Sequence, residues 1–429
     1  MKMRKQIFYG WWIVGAGFSL QFIAGSLLNH SFTAYFPLLQ RHFGWNRTVL
    51  SGAFALSRME SGLLGPLQGW LIEKLGPRMV VRIGMLMFGV GFILFSRTDS
   101  LFDYYFTFAL MAIGASVGGF LTVATTVVSW FEKKRGVAMG IAMSGFGIGG
   151  LIVPGVAWFL MAYGWRSTAF FSGILIIVLG LPLAQLMRQW PEQYGYLPDG
   201  EVKDPNEPTR DVSGTTSTGS NHPGAGQIDG FTVTEALKTP AFWLLGVGHS
   251  MALLTVSAVS LHLVPHVTES VGLSVTKAST SVAVLTVFNI LGQLGGGVLG
   301  DRFSKRVLMS VAMLAHSIGL VILAFAESYS IVCLFAIIHG AAWGIRGPMM
   351  TTIRADYFGR ASFATIMGYS SLIMMVGATG GPLIAGAMAD LFGGYKEGFL
   401  IIAGITGIGS IFLACAGKPK LPPRLQGGL

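Results

Sequence analysis

Twelve apolar stretches constrain this chain more than any other feature. A helix that crosses the hydrocarbon core of a bilayer needs about 20 predominantly apolar residues. Stretches that qualify begin near Trp11, Leu50, Met79, Tyr104, Val137, Ser167, Phe242, Ala278, Val307, Ile331, Phe363 and Phe399. They predict twelve transmembrane helices. Composition points the same way, because only 11% of the 429 residues are charged and the mean hydropathy is +0.63. A soluble domain carries about 25% charged residues, since its surface faces water. Most of the outer surface here must face something apolar, so the expected fold class is an all-α membrane protein.

The stretches fall into two sets of six, separated by a polar interruption that includes DPNEPTRDVSGTTSTGSNHPGAGQ. That run is rich in Pro, Gly, Ser and Thr and cannot bury enough apolar surface to fold. The expected organisation is an N-terminal six-helix bundle over 1–190, a cytoplasmic and largely disordered linker over 191–238, and a C-terminal six-helix bundle over 239–429. The last part of the linker, FTVTEALKTP, is expected at the membrane interface. Lys2, Arg4 and Lys5 precede an apolar run from Trp11 to Leu39. That run is longer than the 7–15-residue core of a signal peptide, so it is kept as the first span with the amino terminus in the cytoplasm.

The basic residues test this orientation. Of 29, the topology puts 21 in cytoplasmic segments and six in outer loops (Arg41, Arg47, Arg97, Arg166, Lys277, Lys396), with Arg58 and Arg346 inside spans. This bias satisfies the positive-inside rule and puts both termini in the cytoplasm. The net charge of +10 is then an orientation signal, and no nucleic-acid partner is expected. Cys333 and Cys415 both sit in apolar runs and support neither a disulfide framework nor a thiolate metal site.

The halves repeat one another, a relation to be sought before any local motif. GWLIEKLGPR (Gly69 to Arg78) recurs as GVLGDRFSKR (Gly297 to Arg306), with an offset of 228 between the two glycines. WFEKKRGVAMG recurs as YFGRASFATIMG, with Phe131 and Phe358 separated by 227, and Pro154 and Pro382 are again 228 apart. Three offsets agreeing within one residue indicate duplication of a six-span unit. An even number of spans per unit makes the halves parallel, and parallel halves rock about a midplane site in many secondary transporters.

The pattern G-x-L-x-(D/E)-(R/K)-x-G-x-(R/K) after spans two and eight resembles the signature loop of the major facilitator superfamily, and the resemblance covers the whole chain. YGWWIV, FGWNRTVLSGAF and TEALKTPAFWLL are similar to stretches of bacterial monocarboxylate-transporter and oxalate/formate-exchanger relatives. The resemblance implies two pseudo-symmetric bundles in the bacterial inner membrane, with a small organic anion and protons or a counter-substrate as partners. Glu73 stands where the family usually has Asp. It sits at the negative end of its own helix dipole and gains nothing there, so pairing with a basic residue or helix N-terminus of another span explains it better. Glu73, Arg78, Asp301 and Arg302 are therefore expected to form cytoplasmic gates that hold the outward-open state. Solvated turn charges are the plain alternative.

Ionisable groups inside spans cost roughly 2.5–3.5 kcal/mol even on lenient insertion scales and point to function. Glu60 lies 13 residues from Glu73, about 20 Å into a core of about 30 Å, too deep for its short side chain to reach water. It is the candidate proton carrier, against a structural interhelical role. Arg58 lies about 200° around the helix from Glu60, so the two are not a same-face pair. Arg346, eight residues before Arg354 and so about 12 Å from the inner surface, opens an Arg-Gly-Pro triplet. A guanidinium beside an opened helix offers a planar fork suited to a carboxylate, which makes Arg346 the candidate anion anchor. Either arginine could instead snorkel to an interface. Monocarboxylate-transporter relatives commonly carry an Asp or Asn followed four residues later by a carboxylate-contacting Arg in the eighth span. Asn289 and Gln293 stand there in this chain, one helix face without the positive charge, so Arg346 or Arg58 would have to supply it.

Asn29, His30, His249, His316 and His339 complete the polar groups in spans. A lone histidine in a span is more often a packing residue than a relay; Asn29 and His249 are added to the candidate substrate site. His262 and His266 have zinc-compatible spacing but no third ligand, so no metal or cofactor is expected. GFGIGG at Gly145–Gly150 lies within an apolar span and is read as helix packing. No G-x-x-x-x-G-K-(S/T) loop or nucleophile–base set occurs, and an enzyme is not expected. The function expected is secondary active transport of mono- or dicarboxylates by symport or exchange. The alternatives are efflux of hydrophobic or drug-like compounds, and a non-transporting metabolite sensor.

Overall fold

The computed structural model describes residues 7–45, 47–201 and 230–426, with backbone only at a few helical positions, Arg58 among them. The bulk of the linker, and with it the expectation of disorder over 202–229, lies outside the described residues. Helix starts follow local chemistry. Ser100 and Asp103 form a capping box ahead of Leu101–Val117, the Thr239 hydroxyl caps Pro240–Pro265, and the Ser274 hydroxyl caps Val275–Arg302. Each satisfies a backbone N–H that the first turn leaves without an intrahelical partner. Gly76, at φ 78°, makes the turn into Pro77–Phe95, a left-handed backbone that favours glycine.

Among the described residues, ten helical runs are long and apolar enough to cross a membrane. They become twelve crossings in two steps. The 52-residue run Arg135–Leu186 divides at Gly164, whose φ of 77° and ψ of 163° reverse the chain between the fifth and sixth spans. The second span is the pair Arg47–Leu63 and Gly65–Leu75, interrupted at Leu64 just before Pro66. The remaining crossings begin with Tyr9–His30, Pro77–Phe95 and Leu101–Trp130. The second half consists of Pro240–Pro265, Val275–Arg302, Lys305–Ala324, Tyr329–Phe358, Phe363–Phe392 and Lys396–Cys415. Among the described residues there is no strand.

Packing obeys the repeat. The first span packs on the fifth as the seventh packs on the eleventh; the second meets the fourth as the eighth meets the tenth; the third pairs with the sixth as the ninth pairs with the twelfth. The Trp130 indole N–H donates to the Arg188 carbonyl at 2.8 Å, and the Tyr357 hydroxyl donates to the Ala416 carbonyl at 2.7 Å. Those two ties, one at the base of each half, are 227 and 228 residues apart. The first half has a core around Phe88, Phe92 and Phe108, and the second has two clusters, one around Phe335 and one around Met313 and Met349. Large apolar side chains face outward from the spans, Phe171, Val178, Val311 and Ile411 among them. A surface this apolar is what a helix presents to lipid.

Candidate functional site

Contact between the halves runs through two symmetry-related seams, the second span against the eleventh and the fifth against the eighth. Both seams are closed at the end of the bundle that carries the chain termini. A Cβ on Gly69 would lie 2.5 Å from the Ala364 carbonyl oxygen, and a Cβ on Gly297 would lie 2.5 Å from the Gly136 carbonyl oxygen. Only glycine lets these backbones touch.

Two carboxylates latch the seams. The Thr365 backbone N–H, in the first turn of the eleventh span, donates to Glu73 Oε1 at 2.9 Å. The N–H groups of Gly136 and Val137, in the first turn of the fifth span, donate to Asp301 at 2.6 and 3.0 Å. Glu73 and Asp301 are 228 residues apart, and so are Val137 and Thr365. A helix N-terminus offers unbonded N–H groups and a partial positive charge, so each carboxylate bridges the halves through charge-assisted bonds. Of the alternatives left open for Glu73, the helix N-terminus is the partner found.

The predicted gate arginines do not join the latch. Arg302 is exposed, Arg78 keeps a buried Nε without a partner, and neither forms an ion pair among the described residues. Arg135 and Arg360, which the sequence reading passed over, bridge the halves instead. Arg135 pairs with Asp356 at 2.5 Å, and Lys305 pairs with the other oxygen of the same carboxylate at 2.5 Å. Arg360 donates to the Ser129 carbonyl at 2.7 Å and to Glu192 at 2.9 Å. Glu192 belongs to the described start of the linker. There Asp199, held at φ 61°, accepts the backbone N–H groups of Glu132, Lys133 and Lys134 at 2.9, 2.7 and 3.2 Å. The basic run in WFEKKRG was a visible signal; its acidic partners, far along the chain, were not.

A cavity of about 290 Å³ lies between the first, second, fourth, fifth and eleventh spans. Its polar wall includes Gln21, Asn29, Ser57, Ser61, Gln68 and Ser371, and its apolar wall includes Phe108, Phe146 and Met374. Ser57, Ser61, Gly65 and Gln68 recur at helical spacing, a stripe the sequence displayed. Asn29 is on the wall as predicted, with its amide donating to the Ala24 carbonyl at 3.2 Å. Glu60 adjoins the wall between Ser57 and Ser61 but is not part of it. It is half-buried, its Oε2 accepts from Ser61 at 3.3 Å, and its Oε1 is buried without a partner. Arg58 is carried by Arg47–Leu63, and its side chain is outside the described residues.

The other predicted residues lie in the second half, away from this cavity. Asn289 and Gln293 are buried at the seam between the fifth and eighth spans, joined by a 2.8 Å hydrogen bond, with Asn289 Nδ2 and Gln293 Oε1 left unpartnered. Arg346 is 1% exposed, and its Nε and Nη1 find no partner. Its neighbour Gly347 abuts the fifth span, where a Cβ would lie 3.3 Å from the Met143 methyl. Arg354 does not mark the inner surface as assumed. It is fully buried and donates to the carbonyls of Met350 (2.5 Å) and Leu245 (3.2 Å) and to His249 Nδ1 (3.4 Å). The tenth span continues to Phe358, so Arg346 lies about 18 Å from that end, deeper than expected and close to mid-membrane. His262 and His266 bond separate carbonyls, of Pro382 and Leu323, each at 3.0 Å. GFGIGG packs closely, with a Cβ on Gly149 falling 2.7 Å from the Ser26 nitrogen.

Twelve crossings in two related bundles, latched at one end around an off-centre polar cavity, define a multi-pass membrane transport protein. The Major Facilitator Superfamily profile matches residues 12–263 and 245–427, and the chain belongs to that family, whose members are transporters rather than enzymes. Among similar proteins, the "Oxalate:formate antiporter" of Oxalobacter formigenes is 25% identical over 401 residues, covering 92% of this chain and 88% of that one. Human "Monocarboxylate transporter 2" is 22% identical over 417 residues, covering 94% and 84%. The solved structure of the human organic anion transporter MFSD10 (TETRAN) superposes with a TM-score of 0.66 at 15% identity, over 94% of this chain and 98% of that one. It shares the fold.

Proposed function

We propose that the chain is a secondary active transporter of small organic anions, mono- or dicarboxylates, that works by alternating access with proton symport or anion exchange in a bacterial inner membrane. The observation that carries this is Arg346. A buried guanidinium without an ionic partner is strongly destabilising, and no carboxylate pairs with it among the described residues. An entering anion supplies the missing charge. The names of the relatives, an oxalate:formate antiporter and a monocarboxylate transporter, favour the same cargo class.

With the terminus-bearing end taken as cytoplasmic, the latched conformation faces outward. Parting the fifth span from the tenth at Met143 and Gly347 uncovers the helix face beside Arg346, and the Asn289–Gln293 pair is exposed by the same movement. Asn289 Nδ2 is then free to donate to a carboxylate, and Gln293 Oε1 to accept from water. In the first half Glu60 has an unpartnered Oε1 and is the alternative proton carrier. Uptake of radiolabelled oxalate, formate and lactate into proteoliposomes under an imposed pH gradient tests the reading. Arg346→Gln should lower carboxylate uptake by at least about 100-fold, and flux untouched by that change would sink the assignment. The aromatic and methionine part of the cavity wall favours a second reading, export of hydrophobic compounds. A melting-shift panel in which such compounds stabilise the protein and carboxylates do not would select it.

A further inference from the structure

We infer that the His316–His339 pair is the proton-binding site coupled to the anion, and that it takes up a proton only while an anion sits at Arg346. This rests on the anion reading of Arg346 above. His316 lies midway along the ninth span and His339 along the tenth, and both are 0% exposed. Their Nδ1 atoms are 3.1 Å apart and their Nε2 atoms are buried without a partner. An Nδ1–Nδ1 hydrogen bond needs one N–H and one lone pair, so the neutral pair has one ring of each tautomer. The donor ring then keeps a free lone pair on Nε2. One proton can add there without disturbing the Nδ1 bond, which becomes charge-assisted. A second proton would set two N–H groups against each other. The pair is therefore built for one proton, which can pass between the rings along the same bond.

Its surroundings decide when that proton is allowed. The tenth span contributes Arg346, two helical turns from His339 on the same face. The same span carries Tyr329, Cys333, Arg354, Asp356 and Tyr357 toward its ends. His316 is the only titratable residue of the ninth span after Arg306. The twelfth span has none between Glu397 and Cys415, and the eighth none between Lys277 and Asp301. His249 of the seventh span bonds Arg354 at 3.4 Å, on the far side of Arg346. Among the described residues an imidazolium here faces a guanidinium and no carboxylate, in a medium that screens poorly. An anion on Arg346 cancels that repulsion and admits the proton, so the two bind together or not at all.

The test adds oxalate or formate to the purified full-length protein in weakly buffered detergent, with a pH indicator and 15N-labelled histidine. The expected result is uptake of roughly one proton per bound anion, with the 15N signals of one of the pair moving to those of a doubly protonated ring. In proteoliposomes, His316→Asn with His339→Asn should lower the ratio of protons to anions moved by at least about 10-fold, a ratio that a merely structural defect would leave alone. Anion binding by the wild type with no proton uptake, or both histidines staying neutral when it binds, overturns the proposal. So does an unchanged ratio in the double variant, which would give the proton to Glu60. Failure of the underlying reading looks different: Arg346→Gln would still bind anion and still take up the proton.

Discussion

Replacing Asp301 by Asn should release the latched end. Asp301 accepts two backbone N–H groups of the fifth span at 2.6 and 3.0 Å. Hydrogen bonds to a charged group contribute about 1.5–3 kcal/mol each, against about 0.5–1.5 for neutral ones. Asn keeps one acceptor oxygen, loses the charge that the helix N-terminus favours, and turns an NH₂ toward a second N–H. The carboxylate is half-exposed, so water screens part of the loss. The net cost to the closed state is about 1.5–3 kcal/mol, or roughly 10- to 150-fold in the equilibrium between states. Glu73 accepts a single bond at 2.9 Å, and Gln keeps an acceptor, so Glu73→Gln should shift the balance by only about 3- to 10-fold. Spin labels at Lys74 and Arg306, exposed at the end of the second span and the start of the ninth, would report it after Cys333 and Cys415 are replaced by Ala. The label-to-label distance should lengthen in most molecules of Asp301→Asn and in a minority of Glu73→Gln. Unchanged distances in Asp301→Asn, or a larger effect from Glu73→Gln, would refute the reasoning.

Gly297→Val should open the same end, because a side chain there meets the Gly136 carbonyl across the seam. Gly295→Val, where nothing lies within 4 Å, should leave the label distances alone, and equal effects from the two would show that the seam is not closed as described. Glu235, at the described end of the linker, is tied to Arg424 near the C-terminus, and the pH dependence of this tether should follow its carboxyl, which is pushed down from 4.5 to about 2, chiefly by the Arg424 guanidinium that bonds it. A depressed folded value means that the tether holds above the unfolded value and weakens as pH falls from about 4.5 through 2. Protection of the amides of residues 230–237 from hydrogen exchange, relative to the intrinsic rate at each pH, should be high at pH 5 and fall below pH 3. Arg424→Gln should remove that transition, and its persistence would break the link to this ion pair.

Particular residues mark how far the sequence reached. Hydrophobic run lengths and the 228-residue offset pointed to twelve spans and two parallel halves, and the loop motif after spans two and eight pointed to the family, because helix length, duplication and motif are properties of the chain read in order. The same offset recurs in space at Glu73 and Asp301 and at Trp130 and Tyr357. The sequence also implied that Glu73 needs a partner elsewhere, since the dipole of its own helix disfavours it. Which partner was beyond it: backbone N–H groups leave no mark in a sequence, and Thr365 and Val137 look like any other helical residues.

Helical periodicity orders residues around one span but says nothing of the angle at which that span meets its neighbours. That angle turns Arg346 into the interior of the second bundle, among buried Arg354 and the neutral imidazole rings. It brings His316 to His339 across two helices, and it draws Arg135 to Asp356 from the other half. Such meetings depend on the tertiary packing of whole helices. The sequence determined which groups had to be explained, and the packing decided what each of them touches.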